Sequence, residues 1–227
     1  MKISKEFSKH ATHYEEHNTV QKLVAEKLLS LVKSHPKHIL DLGCGSGVLC
    51  KSINWNYENF TGVDFAPGML ELHPKSEKIE CINGNFNDSL LFENLQTREY
   101  DYILSASSLQ WAVNLESVFE SISKLKAPMS LALFTSGTFK TLNETASIKP
   151  LLRSAQEIEK LQKKYFNAQF EVLKYRLDFE SVRDMFVYIK RSGVSGSRNL
   201  LSYKEMKKLM SEYPLGYLEF EVAFIYS

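Results

Sequence analysis

Residues 39–47 read ILDLGCGSG. A short apolar run carrying one acid, Asp41, enters Gly43, Gly45 and Gly47, so three of the chain's ten glycines stand within five positions. Glycines at alternate positions leave the main chain open to close approach. A side chain there would hold a ligand off the backbone N–H groups and off the N-terminus of the following helix. The spacing is GxGxG with Cys44 between the first two glycines, not the GxGxxG of dinucleotide-binding turns. The stretch is open to three uses: a plain strand-to-helix turn, a phosphate cradle, or the seat of another ligand. Asp64 narrows them. It closes a second apolar run, FTGVDF at 60–65, 17 residues beyond Gly47. A carboxylate at the end of the second strand can accept hydrogen bonds from both hydroxyls of a ribose.

Outward from that turn the chain alternates strand and helix patterns. HIL (38–40), FTGVDF (60–65), IECING (79–84), YDYILSA (100–106) and MSLALFT (129–135) are strand candidates. Before them, Val20, Leu23, Val24, Leu28, Leu31 and Val32 recur at helical spacing, and SHP ends the pattern. APGMLELH opens as a helix, and NLESVFESISKL (114–125) places Leu115, Val118, Phe119, Ile122 and Leu125 on one helical face. Such alternation over about 100 residues predicts an α/β fold with a doubly wound, mostly parallel sheet. After Thr135 the rhythm breaks into helices with one strand-like piece, FEVLKYRLDF, and a final alternating strand, GYLEFEVAFIYS. We expect one domain over 1–227, with 137–200 partly an insertion capping the carboxyl ends of the strands.

Composition bounds the partners. The chain is 44% hydrophobic, enough for one sizeable core, and its net charge of +1 lacks the basic footprint of a nucleic-acid-binding domain. The run MSLALF is far too short to span a bilayer, and MKISKEFSKH has no apolar signal core. Neither a nucleic-acid nor a membrane partner is expected. Cys44, Cys50 and Cys81 form no CxxC pair, which points to a reduced, cytoplasmic setting. His10, His13 and His17 stand three and four apart, but no cysteine or acid completes a metal set, and no metal is expected.

ILDLGCGSG, FTGVDFAPGML, INGNF and YDYILSASSLQW together resemble the class I S-adenosylmethionine-dependent methyltransferases over residues 38–135. The resemblance implies a seven-stranded sheet whose last strand is antiparallel. It implies a cofactor, S-adenosyl-L-methionine, leaving as S-adenosyl-L-homocysteine. Asp41 and the turn Gly43, Cys44, Gly45 and Gly47 would hold its methionine moiety, and Asp64 its ribose. Phe65 and Met69 would flank the adenine, Asn85 would contact the adenine amino group, and Phe86 would pack beside it. Ser105 would line the end of the fourth strand with its backbone. Many family members carry Asp where this chain has Asn85.

Three further stretches, FSKHATHYEEHNTVQKLVAEKL, SLQW and the tail from LDFESVRDMF onward, are similar to the malonyl-acyl-carrier-protein O-methyltransferase family of biotin synthesis. That likeness implies a carboxyl O-methyltransferase acting on malonyl-acyl carrier protein. The trans-aconitate type, which also carries an aromatic-Gln-Trp feature after strand four, is the alternative. A carboxylate nucleophile is ionised at neutral pH and needs no general base. The residues expected near the reaction are therefore positioning groups: Tyr14 from the AxxY opening, Gln110 and Trp111. A cation should receive the substrate carboxylate, and Lys190, Arg191 and Arg198 are the first candidates, with Arg153 and Arg183 behind them. An acidic carrier protein calls for an exposed basic patch, and Lys160, Lys163 and Lys164, or Lys204, Lys207 and Lys208, form the densest runs.

Overall fold

The computed structural model describes residues 18–191 and 202–227. In chain order the elements are α1 (Thr19–Ser30), β1 (His38–Leu42), α2 (Val48–Ser52), β2 (Asn59–Asp64), α3 (Pro67–Glu71), β3 (Ile79–Asn83), α4 (Ser89–Leu95), β4 (Tyr102–Ala106), a 3-10 turn (Leu109–Trp111) and α5 (Leu115–Ser123). They continue with β5 (Met129–Phe134), α6 (Lys140–Thr145), α7 (Ala155–Tyr165), β6 (Gln169–Asp178), α8 (Val182–Arg191), α9 (Tyr203–Glu212) and β7 (Tyr217–Tyr226). The strands form one seven-stranded sheet in the order β3-β2-β1-β4-β5-β7-β6. β7 pairs antiparallel with both β5 and β6, and the pairs among β1 to β5 are parallel, as expected.

Burial on both faces explains the near-continuous apolar strands at the centre: Ile39, Leu40, Leu42, Ile103, Leu104 and every residue of β5 are buried. Val24 and Leu28 of α1, Leu49 of α2, Met185 of α8 and Leu209 of α9 cover one face. Phe92 of α4, Phe119 and Ile122 of α5 and Ile158 of α7 cover the other. Reciprocal capping boxes, Ser154 with Glu157 and Ser202 with Glu205, fix the starts of α7 and α9.

Among the described residues of 137–200, one segment joins the sheet itself. Gln169–Asp178 is an edge strand paired with β7 along its whole length, and α7 packs against α5 on a face of the sheet. FEVLKYRLDF alternates exposed and half-buried residues because successive side chains of a strand point to opposite faces of the sheet. No helix among the described residues is long and apolar enough to cross a membrane. The strand order reverses between β1 and β4, so their connections leave on opposite sides of the sheet and open a crevice at their carboxyl ends.

Candidate active site

The crevice is a cavity lined by the turn residues Gly43, Cys44, Gly45 and Ser46, by Asp41 and Asp64 at the ends of β1 and β2, by Phe65, Met69 and Phe86, and by Ser107, Ser108 and Trp111. Asn18, Gln21 and Ala25 of α1 close the remaining wall with Val48 and Leu49.

The three glycines all have positive φ, at +79°, +53° and +85°, but for different reasons. A Cβ on Gly43 would stand 2.3 Å from the Ser108 Cβ, and one on Gly47 would stand 2.5 Å from Pro74 Cδ and 2.9 Å from His73 Cδ2. Protein packing demands both. Only Gly45 opens toward the cavity: its nearest neighbour would be the Met69 methyl, at 3.3 Å. Gly47 does not line the cavity, so its part in the turn is to let α2 start close against the segment after α3.

Hydrogen bonds lock the turn in place. Val63 O accepts from the N–H groups of Gly43 (2.7 Å) and Cys44 (3.0 Å), tying the turn to β2. The hydroxyls of Ser105 and Ser108 both donate to Leu42 O, at 2.6 and 2.8 Å, tying the end of β4 to β1. The Ser105 side chain is thus spent inside the fold and does not line the cavity. Ser107 takes a left-handed φ of 57°, and its buried hydroxyl has no partner. Strain of this kind collects where the chain presents groups to a ligand.

The two acids differ. Asp64 accepts from Gly45 N–H through Oδ2 (2.9 Å) and from Ala66 N–H through Oδ1 (2.8 Å). The Phe65 N–H also bonds to this carboxylate, and a carboxylate offers about four acceptor positions, so room for a further donor remains. Burial raises its carboxyl pKa and the backbone N–H groups pull it back. Asp41 is 1% exposed, and neither of its oxygens has a partner. Burial first, and the Asp64 charge second, hold its pKa well above the usual carboxylate range. A buried carboxylate without a partner calls for a cation. Burial first, then the charges of Asp41 and Asp64, push the Cys44 thiol pKa up, which disfavours the thiolate.

These observations fit a nucleoside with a cationic, amino-acid-bearing end, as S-adenosylmethionine has. The turn presents backbone, Asp64 holds open acceptor sites, Phe65, Met69 and Phe86 give an apolar slot, and Asp41 waits for a positive charge. No group of three or more metal-ligating side chains occurs among the described residues.

Other expected residues fall elsewhere. Asn85 is exposed and outside the cavity, because its Oδ1 accepts from the Asn87 main-chain N–H (2.9 Å) and Nδ2 (2.8 Å) in a closed turn. Gln110 also stays outside: its Nε2 donates to Ser107 O at 2.7 Å, bracing the strained residue. Trp111 does line the cavity. Tyr14 and Arg198 lie outside the described residues, and Lys190 and Arg191 end α8 with undescribed side chains. Arg153 is well placed among the described cations. Its Nη2 donates to Ala112 O (2.9 Å) and Val113 O (3.2 Å), directly after Trp111, and it has no carboxylate partner among the described residues.

Asn18, Gln21 and Ser107 were not singled out from the sequence. The signal for the first two was there: both share the helical face of Val24, Ala25 and Leu28, so polar residues stand where the pattern calls for apolar ones.

Residues 39–129 match the model of a methyltransferase-domain family. Over most of its length the chain is similar to a protein of Anoxybacillus flavithermus named malonyl-acyl-carrier-protein O-methyltransferase, 27% identical with 93% of this chain and 88% of that protein covered. An Acetivibrio thermocellus protein of the same name is 29% identical, with 91% and 84% covered. Among solved structures, the geranyl diphosphate C-methyltransferase of Streptomyces coelicolor A3(2), in complex with Mg2+, geranyl diphosphate and S-adenosyl-L-homocysteine, shares the fold. Its TM-score is 0.53 at 13% identity, covering 89% of this chain and 76% of that one.

Proposed function

We propose that this class I methyltransferase esterifies the free carboxylate of a malonyl group carried on acyl carrier protein, using S-adenosyl-L-methionine and releasing S-adenosyl-L-homocysteine. The observation that carries this reading is the reach of the likeness to relatives of that name. It extends over 93% of the chain, well beyond the 39–129 segment matched by the general methyltransferase model.

The chemistry asked of the chain is modest. When bound, the cofactor supplies an electrophilic methyl group on a sulfonium. A carboxylate titrating near about 4 is already the nucleophile at neutral pH. The protein's tasks are alignment and the exclusion of water. Asp64 accepts from the ribose hydroxyls, Gly45 lets the ligand approach the turn, and Phe65, Met69 and Phe86 receive the adenine. Trp111 shields the reacting face. Arg153, fixed to the main chain just beyond Trp111, is the cation we assign to the substrate carboxylate, with Lys190, Arg191 and Arg198 as further candidates and Tyr14 as a closing group. Esterification removes a charge, so the acyl chain can be elongated as a neutral one toward a pimeloyl ester for biotin. Cys44, Cys50 and Cys81 are all free thiols, in keeping with a cytoplasmic enzyme.

The test is incubation with S-adenosylmethionine and malonyl-acyl carrier protein, read by mass. Gain of one methyl group on the malonyl moiety is expected. No gain there, with methylation of free dicarboxylic or tricarboxylic acids, would overturn the carrier-protein reading.

A further inference from the structure

Four polar side chains line this cavity with buried atoms that make no hydrogen bond. Asp41 and Ser107 are two. The others stand at the start of α1: Asn18, 0% exposed, has neither Nδ2 nor Oδ1 paired, and Gln21, 7% exposed, has an unpaired Oε1. Buried amides are normally satisfied, since an unmade hydrogen bond in a dry site costs stability. Asn18 forgoes a further bond. It holds the N-cap position of α1, where an asparagine oxygen ordinarily accepts a main-chain N–H of the first turn, and it makes no such bond. Its side chain turns from the helix end to the cavity. Folding alone accounts for neither amide.

The strand order says which part of a ligand they meet. Asp64 ends β2, and Phe86 follows β3, so a nucleoside held there occupies the β2–β3 side of the crevice. The other end of the ligand must run across β1 toward β4. α1 packs against β4, β5 and α2 on that side, and Asp41 of β1 lies between. The chemistry matches as well as the position. An ammonium group needs a carboxylate, and a carboxylate needs N–H donors; an amide supplies donors and acceptors to both.

We propose that Asn18 and Gln21 bind the amino-acid end of the cofactor together with Asp41, making α1 the wall that distinguishes a complete cofactor from its truncated nucleoside. This rests on the cofactor assignment above and deepens it. α1 is then part of the binding site and more than a cover for the sheet.

The experiment compares two probes by calorimetry: S-adenosyl-L-homocysteine, which carries the amino-acid end, and 5′-methylthioadenosine, which lacks it. Asn18→Leu and Gln21→Leu should each weaken S-adenosylhomocysteine binding by about 5- to 10-fold, the size of one net hydrogen bond, and leave methylthioadenosine binding unchanged. Their cofactor-free melting temperatures should hold or rise, because each change removes a buried unpaired amide. Asn18→Ala gives the same comparison should leucine not fit. Equal loss on both probes, no loss on either, or a marked fall in melting temperature with both replacements would overturn the proposal. Failure of the unaltered protein to bind either probe would instead overturn the cofactor reading beneath it.

Discussion

At the β1–β4 side of the sheet's carboxyl edge, the site is made from main chain. The N–H groups of Gly43 and Cys44 bond to Val63 O, the Gly45 N–H bonds to Asp64, and two serine hydroxyls converge on Leu42 O. At the β5–β7 side main-chain bonds such as Thr135 N–H to Glu221 O are joined by bonds made by acidic and basic side chains. Glu221 Oε1 accepts from Thr135 Oγ1 at 2.5 Å, Glu219 Oε2 accepts from Thr141 N–H at 2.9 Å, and Arg153 reaches back to Ala112 and Val113. A backbone-built site tolerates few residue types at fixed spacing. A side-chain-built one uses residues that any surface carries. On the function proposed here, the first side would hold a cofactor common to many enzymes, and the second would have to suit one substrate.

The sharpest way to break this comparison lies in the glycines. Gly47→Ala combines a left-handed φ with a Cβ 2.5 Å from Pro74. Strain and overpacking together should cost about 3–5 kcal/mol in a urea melt. Gly45→Ala meets only the mobile Met69 methyl and should cost about 1–2 kcal/mol, while weakening cofactor binding because its methyl group enters the cavity. Equal losses of stability at the two positions would show that the turn does not divide into a packing glycine and a ligand glycine.

Asp64→Ala comes next. It removes the acceptor for the Gly45, Phe65 and Ala66 N–H groups and the one proposed for the ribose. S-adenosylhomocysteine affinity should fall by about 1–3 kcal/mol, with a stability loss of similar size. Unchanged affinity in a titration of folded variant would refute the ribose assignment.

These same features decided what the sequence could reveal. The GxGxG turn was legible because positive φ and close approach admit few residues, and the mostly parallel sheet because strand and helix patterns alternate; seven strands with an antiparallel last one were what the family resemblance implied. Gly47 showed the limit: a glycine pattern does not say whether ligand or protein fills the empty side. Asn85 matched a family position, yet a turn with Asn87 holds its oxygen away from the cavity. Asn18 and Gln21 were hidden for the opposite reason. Their meaning appears only when burial shows that nothing pairs with them. Across β5–β7, charge and helix spacing were visible, but not that Arg153 reaches the carbonyls just after Trp111, because these lie 40 and 41 residues away.

Arg153→Met probes that second side. It keeps the stem and deletes the guanidinium, so the KM for malonyl-acyl carrier protein should rise about tenfold or more, the worth of a charge-assisted hydrogen bond, with S-adenosylhomocysteine binding unaltered. A matched loss of cofactor affinity would return Arg153 to the scaffold.

The smallest effect is expected outermost, at the carrier-protein surface. In α7, Lys163 is paired with Glu159 at 2.7 Å and Lys164 with Glu116 at 2.8 Å, so that run is largely neutralised. In α9, Lys207 has no carboxylate partner among the described residues, and Lys208 meets Glu212 only at 3.8 Å with both side chains exposed. Pairs of that kind contribute little to folding. Lys207→Glu with Lys208→Glu should therefore leave stability within about 0.5 kcal/mol. It should raise the KM for the acidic carrier-protein substrate several-fold at low salt, and this difference should shrink as salt screens the approach. A small malonyl thioester should be methylated as before. Equal impairment of both substrates would mean that α9 acts on the cavity and not on the partner, and would erase the division between a side for the cofactor and a side for the carrier.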